Sequence, residues 1–185
     1  MGMRRPRHNM GRVDWIGAES VGLPGQRTFR VLAQNRTMSA ELWLEKEQLQ
    51  ALAEAIARMI YEIDTERGLE IPAAEASASN PKPDTFPATP DISVQVGTLG
   101  LRYDSQREVI ALEAGSRDED EEDAPPAFRC LATRRQMETL QANAIEVVSS
   151  GRPTCPLCGT PLPAAGMPHF CPPTNGHQKL TADED

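Results

Sequence analysis

Twelve of the sixteen prolines of this 185-residue chain fall in two stretches, five within 72–90 and seven within 153–173. Proline lacks an amide hydrogen and fixes its own φ, so neither stretch can supply the interior of a helix or of a paired strand. Regular structure is thereby expected in two blocks, 13–69 and 92–150, together 116 residues, enough for one hydrophobic core. The stretch between them (AAEASASNPKPDTFPATP) is too poor in apolar residues to pack, so 70–91 reads as a linker. Pro125 and Pro126 close an unbroken run of six carboxylates, 118–123, and 117–126 reads as a solvated acidic loop.

The two blocks have the same plan. In the first, 13–21 and 28–33 are strand-like and flank a turn in which Pro24 and Gly25 suit the second and third positions of type II. Met38, Ala40, Leu42 and Leu44 then alternate with polar Ser39 and Glu41, while Trp43 interrupts the polar side. From Glu45 to about Arg67 the apolar residues Leu49, Leu52, Ile56, Met59, Ile60 and Ile63 take helical spacing, with Glu54, Arg58 and Glu62 opposite them. The second block reads as strands at Ile92/Val94/Val96, at Leu99/Leu101/Tyr103, at 109–114 and at 127–132. Its helix has a capping-box start at Thr133 and Gln136 and an apolar face of Met137, Leu140, Ala144, Val147 and Val148. Shifted by 88 residues, Leu44, Gln48, Leu49, Leu52 and Ile56 fall on Ala132, Gln136, Met137, Leu140 and Ala144. Two strand-strand-strand-helix units predict an α+β core over 13–150: a mainly antiparallel sheet with both helices on one face.

The formal charge is −8, yet removing 118–123 and the terminal Asp183, Glu184 and Asp185 leaves 19 basic against 18 acidic residues. Net charge therefore says little about the folded parts. No stretch approaches the roughly 20 apolar residues of a membrane span. Arg4, Arg5 and Arg7 are not followed by the apolar core of a signal peptide, so 1–12 is expected to be a disordered basic arm, 179–185 a disordered acidic terminus, and the protein cytoplasmic.

In a reducing compartment four cysteines point to metal or free thiols before disulfides. Cys155-Pro156-Leu157-Cys158-Gly159 is the turn of a zinc knuckle, two thiolates reaching one ion while glycine lets the backbone pass beneath the sulfurs. Cys171 adds a third thiolate. The fourth ligand is His169 or His177; His169 is preferred because residues two apart in an extended segment point the same way. The tail 151–178 thus reads as a zinc-ribbon-like knuckle with structural zinc. A redox pair would want a helix after Cys158, which Pro161 and Pro163 oppose. A catalytic zinc would keep an open position and a nearby general base, and none is evident. Cys130, on one strand face with Phe128 and Ala132, reads as a small buried hydrophobe.

The residues 21–29 (VGLPGQRTF), Leu44-Glu45-Lys46 at the start of the first helix, Val96-Gly97-Thr98-Leu99, Gly151-Arg152-Pro153, the Cys155–Gly159 turn, His169-Phe170-Cys171-Pro172 and Asn175-Gly176 together resemble the bacterial family catalogued as domain of unknown function 3090. The resemblance covers about 13–176. Its His-x-Cys-Pro element matches here and implies His169, rather than His177, as the fourth ligand. The long proline-rich linker and the acidic loop depart from the family pattern, and no activity is implied.

Three functions compete. A non-enzymatic interaction or adaptor protein, displaying the knuckle to another protein, is favoured, since no phosphate-binding Gly-rich loop, nucleophile elbow or HExxH helix is present. Nucleic-acid binding is suggested by Arg4, Arg5, Arg7 and Arg12 and by Arg134, Arg135 and Arg152. It is opposed by the absence of any Lys or Arg from 154 to 177, because phosphate neutralisation dominates such affinity. An enzyme or binding protein for an anionic small molecule would use Arg27 with Arg134 and Arg135 at a helix start.

Overall fold

Alternation of buried and outward residues builds the sheet. In Phe128–Ala132 the side chains of Phe128, Cys130 and Ala132 are buried while Arg129 and Leu131 are partly exposed. The computed structural model describes residues 5–23, 26–67, 80–118 and 124–149. Its elements in chain order are β1 (His8–Arg12), β2 (Trp15–Val21), β3 (Thr28–Gln34), β4 (Ser39–Leu44), α1 (Lys46–Arg67), β5 (Ile92–Asp104), β6 (Val109–Ser116), β7 (Phe128–Ala132) and α2 (Arg134–Ser149). They form an α+β fold with one seven-stranded mixed, mostly antiparallel sheet in the order β1-β7-β6-β5-β4-β3-β2.

Hairpins make the antiparallel pairs β2/β3, β3/β4, β5/β6 and β6/β7. The β4/β5 pair is parallel, as a crossover through α1 requires, and β1/β7 is parallel too. The two ends of this order meet in the chain. Only Val13 and Asp14 separate β1 from β2, and their successive amides donate in different directions: Val13 to Leu131 of β7 (3.0 Å) and Asp14 to Gln34 of β3 (2.8 Å). On the far side β5 performs the same hand-over within one strand, 92–95 pairing with β4 and 96–104 with β6. The register shifts at Gly97, where a Cβ would crowd the Arg117 Cα at 3.0 Å, so the bulge is tight against the neighbouring backbone.

The inward residues of every strand, including Ile16, Val31, Leu42, Val94, Leu112 and Phe128, join Leu49, Leu52 and Ile56 of α1 and Met137, Leu140 and Ala144 of α2 in one apolar cluster. Leu112, Leu140 and Ile56 are fully buried, so truncating one to alanine costs about 2–5 kcal/mol. Both helices start within a residue of the expected positions, and the turn after β2 is closed by the Gln26 amide on the Leu23 carbonyl (2.9 Å).

The structure corrects three expectations. Residues 8–12 of the supposed basic arm are β1, and Met10 is buried in the core. Alternation could not find this strand: it contributes one apolar side chain, and its stability comes from backbone pairing along β7 and a bulge at Gly11, whose φ is +67°. Leu99 and Val96 belong to one 13-residue strand, not two, because the bulge at Gly97 shifts the alternation without ending the ladder. Within 70–91, residues 80–91 are tied to the core by three contacts. Asn80 pairs its amide with both the N–H (3.0 Å) and the carbonyl (2.9 Å) of Ile16, Phe86 packs 6.1 Å from Trp15, and Asp91 accepts from the N–H and hydroxyl of Ser39 (2.8 Å each). Composition underestimates such a segment because it anchors by side-chain hydrogen bonds to strand backbone, not by bulk apolar burial. Of the acidic loop, 119–123 lie outside the described residues, as do 1–4 and the whole tail from 150.

Candidate functional site

The proposed metal ligands Cys155, Cys158, His169 and Cys171, and the alternative His177, lie outside the described residues. The donor set itself, three thiols and an imidazole, is chemically suited to tetrahedral zinc. Among the described residues no group of three or more His, Cys, Asp or Glu side chains could hold a metal ion. Cys130 is fully buried in β7, and that burial pushes its thiol up to about 12 despite a hydrogen bond with the Leu112 backbone. It is a protonated core side chain, as its strand position implied.

The sheet face turned away from the helices carries charge in two matching rows. Across β2, β3 and β4, Arg30 stands between Glu19 (Nε to Oε1, 2.8 Å) and Glu41 (Nη1 to Oε2, 2.8 Å), with its guanidinium 5.2 Å over the Trp43 ring. Glu41 is nearly buried and also accepts from the Ser93 hydroxyl (2.9 Å). Burial would lower the Arg30 pKa, but the hydrogen bonds and charges of Glu19 and Glu41 outweigh it and raise it. Across β5, β6 and β7 the signs are reversed: Glu113 stands between Arg102 (3.3 Å) and Arg129 (3.5 Å). In each row the central charge is already engaged by two opposite ones. Trp43, which interrupts the alternation of β4, is the platform on which Arg30 lies.

The arginines suggested for an anion are used differently. Arg134, with little side-chain exposure, bridges Asp64 of α1 (2.7 Å) and Glu138 of its own helix (3.1 Å), so it joins the two helices. Arg135 is exposed at the start of α2, and Arg27 lies beyond the turn before β3.

Grooves between elements mark the described surface. One of about 430 Å³ runs between α1 and α2 past Ala53, Ala57, Ile145 and Val148. A second of about 530 Å³ lies between α1 and β5, against Ala51, Ala55, Met59, Leu99 and Leu101. A third of about 360 Å³ lies between α2 and β2, where Asn80 and Lys82 form part of the wall. Sequence reading missed them because each is made by elements from different parts of the chain.

A family model described as protein of unknown function (DUF3090) matches residues 8–171, nearly the whole chain. The chain belongs to the DUF3090 family. The matched region of DUF3090 begins at His8, the first residue of β1, and runs through His169 to Cys171, so it takes in all four proposed ligands. No curated protein and no solved structure matches the chain. Among the described residues of this DUF3090 member, no helix is long and apolar enough to cross a membrane.

Proposed function

We propose that this protein is a non-enzymatic interaction protein whose α+β core carries a structural zinc knuckle and presents it to another protein. Cys155, Cys158, His169 and Cys171 are the ligands, and the observation that carries the reading is their spacing, two thiolates on a Cys-x-x-Cys-Gly turn and a His-x-Cys pair beyond it. When bound, the ion supplies the cross-link that a tail with seven prolines and few large apolar residues cannot obtain from a core of its own. Support for an interaction role comes from the core's charge use: Arg30, Glu113 and Arg134 are each engaged by two opposite or bridging partners. The knuckle, with no Lys or Arg from 154 to 177, suits a protein surface better than a polyanion.

Elemental analysis of full-length protein purified without chelator is expected to give one zinc per chain, lost in Cys155→Ser and in Cys158→Ser. Both variants keep the unfolding transition of the core. Protein free of metal overturns the reading. Affinity capture from the native cell with wild type and Cys155→Ser side by side addresses the partner: a protein retained by wild type alone is the expected result, and identical captures count against the interaction role.

A further inference from the structure

β2 ends the sheet and pairs with β3 along one edge only. In an antiparallel ladder successive residues send their peptide groups to opposite edges, so every second residue of β2 faces away from β3. Ile16 is one of these: the Asn80 carboxamide accepts from its N–H at 3.0 Å and donates to its carbonyl at 2.9 Å. The register on β3 is unbroken from Trp15 to Val21, so Ala18 and Ser20 repeat the orientation of Ile16. The three seats are about 7 Å apart, the two-residue repeat of an extended chain. An amide fills the first, and among the described residues no hydrogen bond reaches the outward groups of the other two. The later part of β5 matches β2 at an offset of 83, Leu99 standing opposite Ala114 as Ile16 stands opposite Ala33. Among the described residues, however, only on β2 does one side-chain amide both donate to and accept from a single strand residue. The row at Ala18 and Ser20 is also unguarded. Sheet edges are ordinarily protected by a lysine, a proline or a bulge, and residues 18–20 contribute none of these. From Asn80 the segment 80–91 leads away from the row, to Phe86 beside Trp15 and Asp91 on Ser39.

We infer that the groove between β2 and α2 takes an extended segment of another protein as an eighth strand. The groove measures about 360 Å³, with Ala18 and Ser20 on one wall and Thr139 and Asn143 of α2 on the other. The backbone chemistry of the row identifies its occupant. Seats two residues apart, each offering one donor and one acceptor, are matched by a polypeptide in β conformation and not by a compact ligand. Asn80 demonstrates the pairing, since its carboxamide has the donor and acceptor of a peptide group. Thr139 and Asn143, facing Ser20, call for small polar side chains at the alternate positions that turn towards α2. The same edge of a second copy is walled by its own α2, so a free extended segment reaches the row more readily than another β2. This surface belongs to the core, and it neither includes the proposed knuckle nor needs its metal.

Residue-resolved amide exchange on the full chain is the first test. Ala18 and Ser20 should exchange at least about tenfold faster than Gly17 and Glu19, whose amides belong to the ladder. Equal protection would mean that the row is already closed, by a second copy if dilution releases it and by the chain itself if not, and either result overturns the inference. A library of random eight-residue peptides is then selected on the full chain. The selected peptides should carry serine, threonine or asparagine at alternate positions and slow exchange at Ala18 and Ser20. N-methylation of their alternate amides keeps the side chains, removes backbone donors and should weaken binding at least about tenfold. Ser20→Pro removes the outward N–H without touching a ladder bond and should weaken the same peptides to a similar degree. Peptides that lack the alternation or bind equally well when N-methylated overturn the inference, whether or not Ser20→Pro folds, and so does a selection that yields none. Cys155→Ser should leave their affinity unchanged; a loss there would place them on the knuckle and overturn the inference while supporting the metal reading.

Discussion

Gln48 and Gln136, 88 residues apart, share three hydrogen bonds of the same kind. Each accepts from the amide three residues earlier, Glu45 and Thr133 at 2.9 Å, as the last member of a capping box does. Each also donates to two successive carbonyls of a neighbouring segment: Gln48 to Val96 and Gly97 (3.2 and 3.3 Å), Gln136 to Val13 and Asp14 (both 3.1 Å). These are the two places where a strand is handed from one partner to the next. Gln136 is nearly buried and Gln48 only partly, so Gln136→Ala should cost about 2–3 kcal/mol and Gln48→Ala about 1. Urea denaturation with unchanged m is the check, and equal losses would deny the clamp its special burden. Cys130 gives a pH dependence. Below the ordinary thiol value of 9.0 the folded and unfolded chains both keep the proton; above it the unfolded chain releases a proton that the folded chain holds to about 12. Stability attributable to Cys130 should therefore fall as pH rises through this window, by roughly 1.4 kcal/mol per unit, and Cys130→Ala should flatten the slope. Asp91 acts in the acid direction. Its hydrogen bonds from Ser39 hold its pKa down, so the tie at 91 weakens as pH falls through that lowered value.

At the scale of elements, the helices were legible and the edge strand was not. Leu49, Leu52 and Ile56 recur with the period of a helix, and the pair Thr133/Gln136 marks its twin's start; both signals lie within about two turns of helix. β1 has only Met10 to bury, and what makes it a strand is β7, more than a hundred residues away. Deleting residues 1–12 removes that partner, uncovers the edge of β7 and takes Met10 from the core. The melting temperature of the remainder should drop by at least about 5 °C. A solvated arm would leave it unchanged, so the melting curve separates the two descriptions. The segment 80–91 illustrates the same limit: Asn80 and Asp91 look like turn residues in a linker, and only the positions of Ile16 and Ser39 make them anchors.

At the scale of the molecule, the repeated plan becomes a circular arrangement of strands, β1 running into β2 where the order of the sheet would otherwise end. The 88-residue correspondence between helices was visible in the sequence, because each helix and the strand before it are joined by one residue and move together in register. The 83-residue correspondence of Ile16 with Leu99 was not, since an extra residue at a bulge or a longer turn shifts strand numbering without changing strand geometry. Opposite charge rows, Glu19-Arg30-Glu41 and Arg102-Glu113-Arg129, emerge only once three strands are laid side by side. Periodicity and capping are local properties, so the α+β class, the two helices and the buried thiol were legible in the chain alone. The tertiary structure decided the fate of 8–12 and of 80–91, and the pairing of each helix with its groove, because those depend on hydrogen bonds and contacts between segments that only folding brings together.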